Sequence, residues 1–369
     1  MKILFIITRA DTVGGAQVHV RDIGSYLVKQ GHQVQVITGI KGPYNQNLSE
    51  WKIPNIACES FEHKINPYKD GKTLAQLTQL IRDYEPDLVS THSSKAGILG
   101  RIACKLTKTP CLFTAHGWAF TEGVPEPKKT IYRSLELMAT PLASRILCVS
   151  QHDREIGIAA GMNPQNIFTI HNGRPDVSQE LLANPSKNNP ISLVMVARFD
   201  QQKDHETLLR AIEPFSEVEV NLIGDGPKLE TIQQLVKTLN IKDRVNFLGF
   251  CPDVAQYLSQ GSIFTLISHW EGFPRTIVEA MRSRLPVIAT DVGGVREAVV
   301  DDVTGFCVPP ENVKALQEKL NILITHPELR EKMGQAGRKR YEQEFTFEKM
   351  FQETFKVYKT VLSEAKKEE

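Results

Sequence analysis

The chain has 369 residues, 41% of them hydrophobic, which is long enough for two ordinary domains with cores of their own. A formal net charge of +1 gives no reason to expect a nucleic-acid partner. The six cysteines form no close pair in sequence and the ten histidines no pair at the helical spacing of a metal site. No run approaches the ~20 apolar residues of a membrane span, so a reduced, cytoplasmic protein is expected.

The run Met1-Lys2-Ile3-Leu4-Phe5-Ile6-Ile7 is too short for a signal peptide and passes into a polar glycine turn. Short β-branched runs then alternate with longer amphipathic ones, the pattern of an α/β fold with parallel sheets covered by helices on both faces. Strands are predicted at 2–8, 33–38, 87–91, 110–116, 145–150 and 166–172, and helices at 15–29, 72–84, 96–106 and 128–143. The polar stretch 184–190 breaks the alternation and reads as an interdomain linker. A second series follows, with strands predicted at 192–198, 218–225, 245–250, 262–268 and 286–291. Residues 346–365 carry Phe347, Met350, Phe351, Phe355, Tyr358, Val361 and Leu362 as a helical stripe. The predicted division is an N-terminal domain over 1–183, a C-terminal domain over 184–345 and a last helix over 346–369. Two similar halves imply a ligand in the cleft between them.

The most informative stretch is Glu271-Gly272-Phe273-Pro274-Arg275-Thr276-Ile277-Val278-Glu279. A buried strand precedes it and a helix with Pro near its first position follows, which places Glu271 in the strand-to-helix loop. Glu279 lies about one turn beyond the helix start, so both carboxylates and the free N–H groups between them can face one ligand. Such a helix start favours an anion, and carboxylates accept hydrogen bonds from hydroxyls. A ligand with both phosphate and sugar fits that mixture, whereas glutamates at this spacing on their own describe many solvated helix faces.

These residues resemble the retaining glycosyltransferases of family 4, whose hallmark is two glutamates separated by seven residues in this loop and helix. The resemblance covers nearly the whole chain and implies the GT-B architecture, two Rossmann-like domains facing across a cleft. The last helix would then return to the N-terminal domain, although its stripe equally fits a helix packed on its own domain. The resemblance also implies a nucleotide-sugar donor, UDP-linked, with Glu279 on the ribose hydroxyls, Glu271 on the sugar, and Gly272, Phe273, Pro274 and Thr276 beside them. Gly14-Gly15-Ala16-Gln17 opens the first helix and lacks the three-glycine dinucleotide fingerprint. By itself it is turn chemistry; in the family such a loop closes over the donor diphosphate at Gly15 and shapes the acceptor side.

Arg198 and Lys203 match the family's cationic pair at a strand end. Charge that builds on a departing phosphate is stabilised by two such cations more in the transition state than in the ground state. The family often has glycine after the lysine, where this chain has Asp204. His116, otherwise an ordinary strand-end histidine, matches the family's N-domain histidine that hydrogen-bonds the transferred sugar, with His19 and His92 as further candidates. Asn172-Gly173 continues into Arg174-Pro175 in place of the family's usual sequence and reads as structural. Gly224-Asp225-Gly226-Pro227 is a turn at a strand end, beside the base or merely a turn.

No cofactor and no metal are expected: the Asp-x-Asp metal motif of the other major glycosyltransferase fold is missing, and Arg198, Lys203 and helix N-termini can serve the diphosphate. The family resemblance implies front-face displacement through an oxocarbenium-like state. Ser93-Ser94-Lys95 with His116-Gly117-Trp118 resembles members that build capsule, exopolysaccharide or lipopolysaccharide repeats on polyprenyl diphosphates. The expected acceptor is thus a saccharide, lipid-linked, met by Gln17, His19, Ser93, Ser94, Lys95 and Trp118. Residues 1–185 carry a formal charge of +4 and the remainder −3. Lys128, Lys129 and Arg133 with Ile131, Tyr132 and Leu135 make either a basic amphipathic surface for anionic lipid at the inner membrane face or a helix docked on its own core. Two alternatives are a nucleotide-sugar 2-epimerase, whose acidic or basic pair at the reacting carbons is not found, and a catalytically silent nucleotide-sugar binder, which would not need Glu271, Arg198, Lys203 and His116 together.

Overall fold

A computed structural model describes residues 1–121, 123–187 and 190–368; Asn188 and Asn189 of the predicted linker and Glu369 of the predicted last helix lie outside the described residues. The chain divides into two compact units, Met1–His171 with Phe351–Glu369, and Asn172–Met350. In the first unit β1 (Lys2–Ile7), α1 (Gly15–Lys29), β2 (Gln33–Thr38), α2 (Pro43–Glu50), β3 (Asn55–Ala57), α3 (Pro67–Tyr84) and β4 (Leu88–His92) are followed by α4 (Ser94–Thr107), β5 (Cys111–Ala115), α5 (Lys128–Ala139), β6 (Arg145–Cys148), α6 (Gln151–Ala160) and β7 (Ile167–Thr169). The strands form one parallel sheet in the order β3-β2-β1-β4-β5-β6-β7. Every residue of β4 and β5 is buried, as a sheet covered on both faces requires. Leu4, Ile6 and Val89 pack with Leu77 and Ala103 in one core cluster, and Phe113, Ile146 and Ile167 pack with Trp118 in another.

The second unit runs β8 (Ile191–Val196), α7 (His205–Ile212), β9 (Val218–Ile223), α8 (Leu229–Thr238), β10 (Val245–Phe247), α9 (Ala255–Ser259), β11 (Ile263–Leu266), α10 (Arg275–Arg282), β12 (Val287–Thr290), α11 (Val295–Ala298), β13 (Gly305–Val308), α12 (Val313–Thr325) and α13 (Pro327–Glu344). Its parallel sheet has the order β10-β9-β8-β11-β12-β13. Both sheets are thus doubly wound and Rossmann-like, reversing strand order once, between β1 and β4 and between β8 and β11. Loops at the C-terminal ends of those strand pairs are where such sheets receive ligands.

The last helix, α14 (Phe347–Glu368), gives its later residues to the first unit. There the Phe351 ring lies 4.4 Å from that of Tyr26, Tyr358 Oη donates to Ser90 Oγ, and Arg145 pairs with Glu364 at 2.6 Å. The chain changes unit at Asn172 and at Phe351, not at the predicted 184 and 346. Residues 172–187 are bound into the second unit: Arg174 N donates to Phe345 O, Ala183 N to Ser283 O, and Arg338 grips Asp176 with two hydrogen bonds of 2.6 Å. Even Pro185, inside the predicted linker, accepts from Arg330 Nε at 2.7 Å. Polar composition marks where side chains tolerate water, and backbone hydrogen bonds decide where the chain belongs. Likewise α3 begins at Pro67, earlier than the predicted 72, because Asn66 caps it by accepting from Lys69 N.

Candidate functional site

In the second unit the ends of β8 and β11 bring together residues far apart in sequence. Lys203 forms an isolated antiparallel bridge with Ser268, and its ammonium bonds Glu271 Oε1. The same oxygen accepts from Ser268 Oγ at 2.7 Å, and Glu271 Oε2 accepts from Gln202 Nε2 at 3.2 Å. Glu271 is therefore a carboxylate fixed by three donors, two of which, Gln202 and Ser268, the sequence reading did not single out. Behind it the chain after β12 closes in. Gly293 has φ +54°, a Cβ there would sit 1.9 Å from Glu271 O, and Gly294 N donates to Gly272 O. Only glycine permits that approach. On the other side Gly224, at φ +147°, passes so near Ala197 O that a Cβ would lie 2.0 Å from it, holding the turn after β9 against the loop that carries Arg198.

Arg198 is the exposed cation of the group, 3.7 Å from Asp200. Asp204, the departure from the family's glycine, accepts from Thr207 N and caps α7, so the loop carrying Lys203 is anchored by a cap. His205 next to it stacks on Phe199 at 4.1 Å, and burial, reinforced by the Lys203 charge, lowers its pKa to about 4.

Glu279 is the fifth residue of α10 and buried, and Arg174 Nε lies 2.8 Å from its Oε1. Arg174, read from sequence as part of a structural turn, is thus the counter-ion of a hallmark glutamate. Arg282, one turn further along, donates to Pro175 O at 2.7 Å, and its pKa is lowered chiefly by burial. Pro274 is the N-cap of α10 rather than its first residue; Phe273 is buried against Phe345, and Thr276 is half-buried.

In the first unit Gly15 is the exposed first residue of α1. Gln17 is not offered to an acceptor: it is buried, its amide donates to Arg9 O and its oxygen accepts from Gly14 N, which holds the loop after β1. Trp118 is also withdrawn, buried in the core with its indole N–H on Asp153 O at 2.6 Å and its ring against Phe120. Lys95 is neutralised by Asp70 at 2.5 Å and donates to Lys64 O, so it is not a loose cation for a phosphate. Ser93 precedes α4 at φ +72°, ψ 150°, a region almost reserved for glycine, and its hydroxyl donates to Thr8 Oγ1. Ser94 opens α4 half-buried.

Beside Ser93 the three candidate histidines meet. Nitrogens of His19, His92 and His116 lie within 4.8 Å of one another, a donor set suited to a transition cation. His92 Nδ1 and His116 Nε2 are 3.0 Å apart and hydrogen-bonded, so those two nitrogens have each other as partners. Burial, with the neighbouring His116, holds the His92 pKa well below the ordinary imidazole value. A search for pairs at helical spacing misses this group because it comes from α1, the end of β4 and the residue after β5.

Comparison with known proteins accords with the geometry. Residues 13–176 match the family described as Glycosyltransferase Family 4, and residues 178–340 that described as Glycosyl transferases group 1. The UDP-Gal:alpha-D-GlcNAc-diphosphoundecaprenol alpha-1,3-galactosyltransferase of Escherichia coli is 30% identical over 320 residues, covering 81% of either chain. The capsular polysaccharide biosynthesis glycosyltransferase CapM of Staphylococcus aureus is 27% identical over 319 residues, 81% of this chain and 83% of that one. Among solved structures, HepE of Anabaena in complex with UDP and glucose shares the fold, with a TM-score of 0.84 at 24% identity over 97% of this chain and 99% of that one. The chain belongs to glycosyltransferase family 4 and has its two-domain GT-B fold.

Proposed function

We propose that this glycosyltransferase moves a hexose or N-acetylhexosamine from a UDP sugar to a saccharide hydroxyl with retention of configuration and without a metal. The observation that carries the reading is the fixed Lys203–Glu271 pair beside Arg198 at the strand reversal of the second sheet. A diphosphate competes for the ammonium while sugar hydroxyls compete for the carboxylate, so one donor molecule divides the pair and satisfies both halves. Arg198 and Lys203 then face the oxygen that gains charge as the glycosidic C–O bond breaks. The electron pair leaves with the phosphate, the acceptor oxygen bonds the anomeric carbon on the same face, and its proton passes to the departing phosphate oxygen. Glu279, steadied by Arg174, accepts the ribose hydroxyls, and His116 contacts the sugar being moved. Gly15 at the start of α1 serves the diphosphate.

The acceptor in this proposal is a polyprenyl-diphosphate-linked saccharide, the class named for the Escherichia coli relative. Among the described residues no helix is long and apolar enough to cross a membrane. The face of α5 supports a peripheral contact instead: Ile131 and Met138 are 49% and 67% exposed, alongside exposed Lys128 and Arg133. Lys95, held by Asp70, is not part of that surface. Calorimetry with UDP in excess EDTA, followed by transfer assays with UDP sugars and lipid-linked or free saccharides, tests the reading. UDP binding that survives EDTA and α-linked product on lipid-linked acceptor are expected. EDTA-abolished transfer or a β-linked product would contradict it.

A further inference from the structure

Behind His116 runs a buried chain of hydrogen bonds in which no atom meets donor or acceptor in the transfer reaction. Tyr358 Oη donates to Ser90 Oγ at 3.4 Å, Ser90 Oγ lies 3.0 Å from His92 Nε2, and His92 Nδ1 lies 3.0 Å from His116 Nε2. Ser90 and His92 are fully buried and Tyr358 is 1% exposed, whereas His116 is half-buried. The His92 and His116 rings are only 26° from parallel with centroids 5.3 Å apart. That separation is what remains when the 3.0 Å contact lies along the line joining the ring centres, so the N–H of one ring points at the in-plane lone pair of the other.

The direction of the chain follows from counting protons. Among the described residues neither Ser90 Oγ nor Tyr358 Oη has another hydrogen-bond partner. If His116 donated to His92, His92 would donate to Ser90 and Ser90 to Tyr358, which would leave the Tyr358 proton buried with no acceptor. An unmade buried hydrogen bond costs ~1–3 kcal/mol. In the opposite sense each proton of the three buried residues has an acceptor: Tyr358 gives to Ser90, Ser90 to His92 Nε2, and His92 Nδ1–H to His116 Nε2. His92 is held neutral by its burial, as that arrangement requires. A proton added to His116 Nε2 would confront the His92 N–H and reverse the chain.

We infer that Tyr358, Ser90 and His92 are positioning residues that fix the ring and tautomer of His116, leaving its proton on Nδ1 so that it meets the transferred sugar as a neutral hydrogen-bond donor. This rests on the reading of His116 given above. Its chemical sense is that a neutral donor binds a sugar oxygen without setting a full positive charge beside an oxocarbenium-like carbon. It also gives the return of α14 to the first unit a functional consequence, because Tyr358 starts the chain.

Long-range proton–nitrogen-15 correlation spectra of histidine-labelled protein, read beside steady-state turnover of a nucleotide sugar, test it. In the wild type His116 is expected to show a protonated Nδ1 and an unprotonated Nε2. Ser90→Ala and Tyr358→Phe should shift it toward a tautomer mixture and lower kcat about 10-fold with KM within about 2-fold. His92→Asn, which keeps an amide donor near the place of Nδ1, should retain more turnover than His92→Leu. An Nε2-protonated His116 in the wild type, or a tautomer unmoved by Ser90→Ala, overturns the inference. So does a zinc ion found ligated by His19, His92 and His116, since the metal would take the lone pair assigned here to a proton. If His116→Ala keeps wild-type turnover, the placing of His116 at the sugar fails, and the tautomer spectra still decide whether the chain orients the ring.

Discussion

The two strand reversals are alike in topology and differ in the side chains they gather. At β8 and β11 the side chains are ions already paired, Lys203 with Glu271 and, on α10, Glu279 with Arg174. At β1 and β4 buried imidazoles and hydroxyls are joined by hydrogen bonds, beside the ion pairs Arg9 with Asp11 and Lys95 with Asp70. In the proposed reaction one doubly wound frame serves a dianionic diphosphate in one unit and an uncharged sugar in the other, according to which side chains follow the strands. A paired ion keeps a charged partner until a ligand exchanges it, while a hydrogen-bonded network fixes direction.

If that contrast is right, the largest loss comes from removing the cation on the leaving phosphate. Lys203→Ala should lower kcat by about 100- to 1,000-fold, the range for deleting one donor at a site of developing charge. Steady-state kinetics with a UDP sugar check this, and a loss below 10-fold would move the leaving-group role to Arg198.

A second expectation concerns His205, the neutral imidazole beside the ionic cluster. Its pKa is about 4 in the folded protein against 6.5 for a free imidazole, with burial the main cause. A depressed pKa means that stability is full above pH 6.5 and is lost as pH falls toward 4, when the unfolded chain takes up a proton that the folded one refuses. The contribution is about 3 kcal/mol. His205→Gln should flatten the urea-stability profile between those pH values, and an unchanged acid slope would place the acid sensitivity elsewhere.

The smallest effects are expected at the surface of the first unit. Replacing Lys128, Lys129 and Arg133 with glutamate should release the protein from anionic vesicles, each cation contributing ~1 kcal/mol, with the attraction fading as salt rises. Lys95→Gln should change vesicle binding little, because that ammonium already belongs to Asp70. Equal release by both variants would show that Lys95 leaves its partner to meet lipid.

Sequence reasoning reached the sheets and the glutamate loop because both are local. Runs such as Ile3 to Ile7 and Ile263 to Leu266 announce buried strands by their own composition, and Pro274 announces a helix start. It did not predict β3 and β13, strands of three and four residues at sheet edges that exist through pairing with β2 and β12. Of the site, the charged residues were legible but their partners were not. Nothing local to Arg174 points to Glu279, nor anything local to Gln202 to Glu271, since tertiary packing creates those contacts, whereas Ser268 stands only three residues from Glu271 and bonds it across the loop after β11. Trp118 shows the converse error: an aromatic beside a site histidine reads as a binding residue, and only burial with its N–H on Asp153 O shows it to be core. The three histidines were each visible at an element end, and it took the β1-β4-β5 neighbourhood to make them one group.

The division of labour between the units is tested most directly by one paired measurement: the UDP dissociation constant and the kcat of Glu279→Ala set beside those of His116→Ala. Hydrogen bonds to a carboxylate contribute ~1.5–3 kcal/mol each, so Glu279→Ala should weaken UDP binding or turnover by about 10- to 100-fold or more. His116→Ala should leave UDP binding near wild type while kcat falls. Unchanged donor kinetics in Glu279→Ala, or equal losses of UDP affinity and kcat in His116→Ala, would contradict the account.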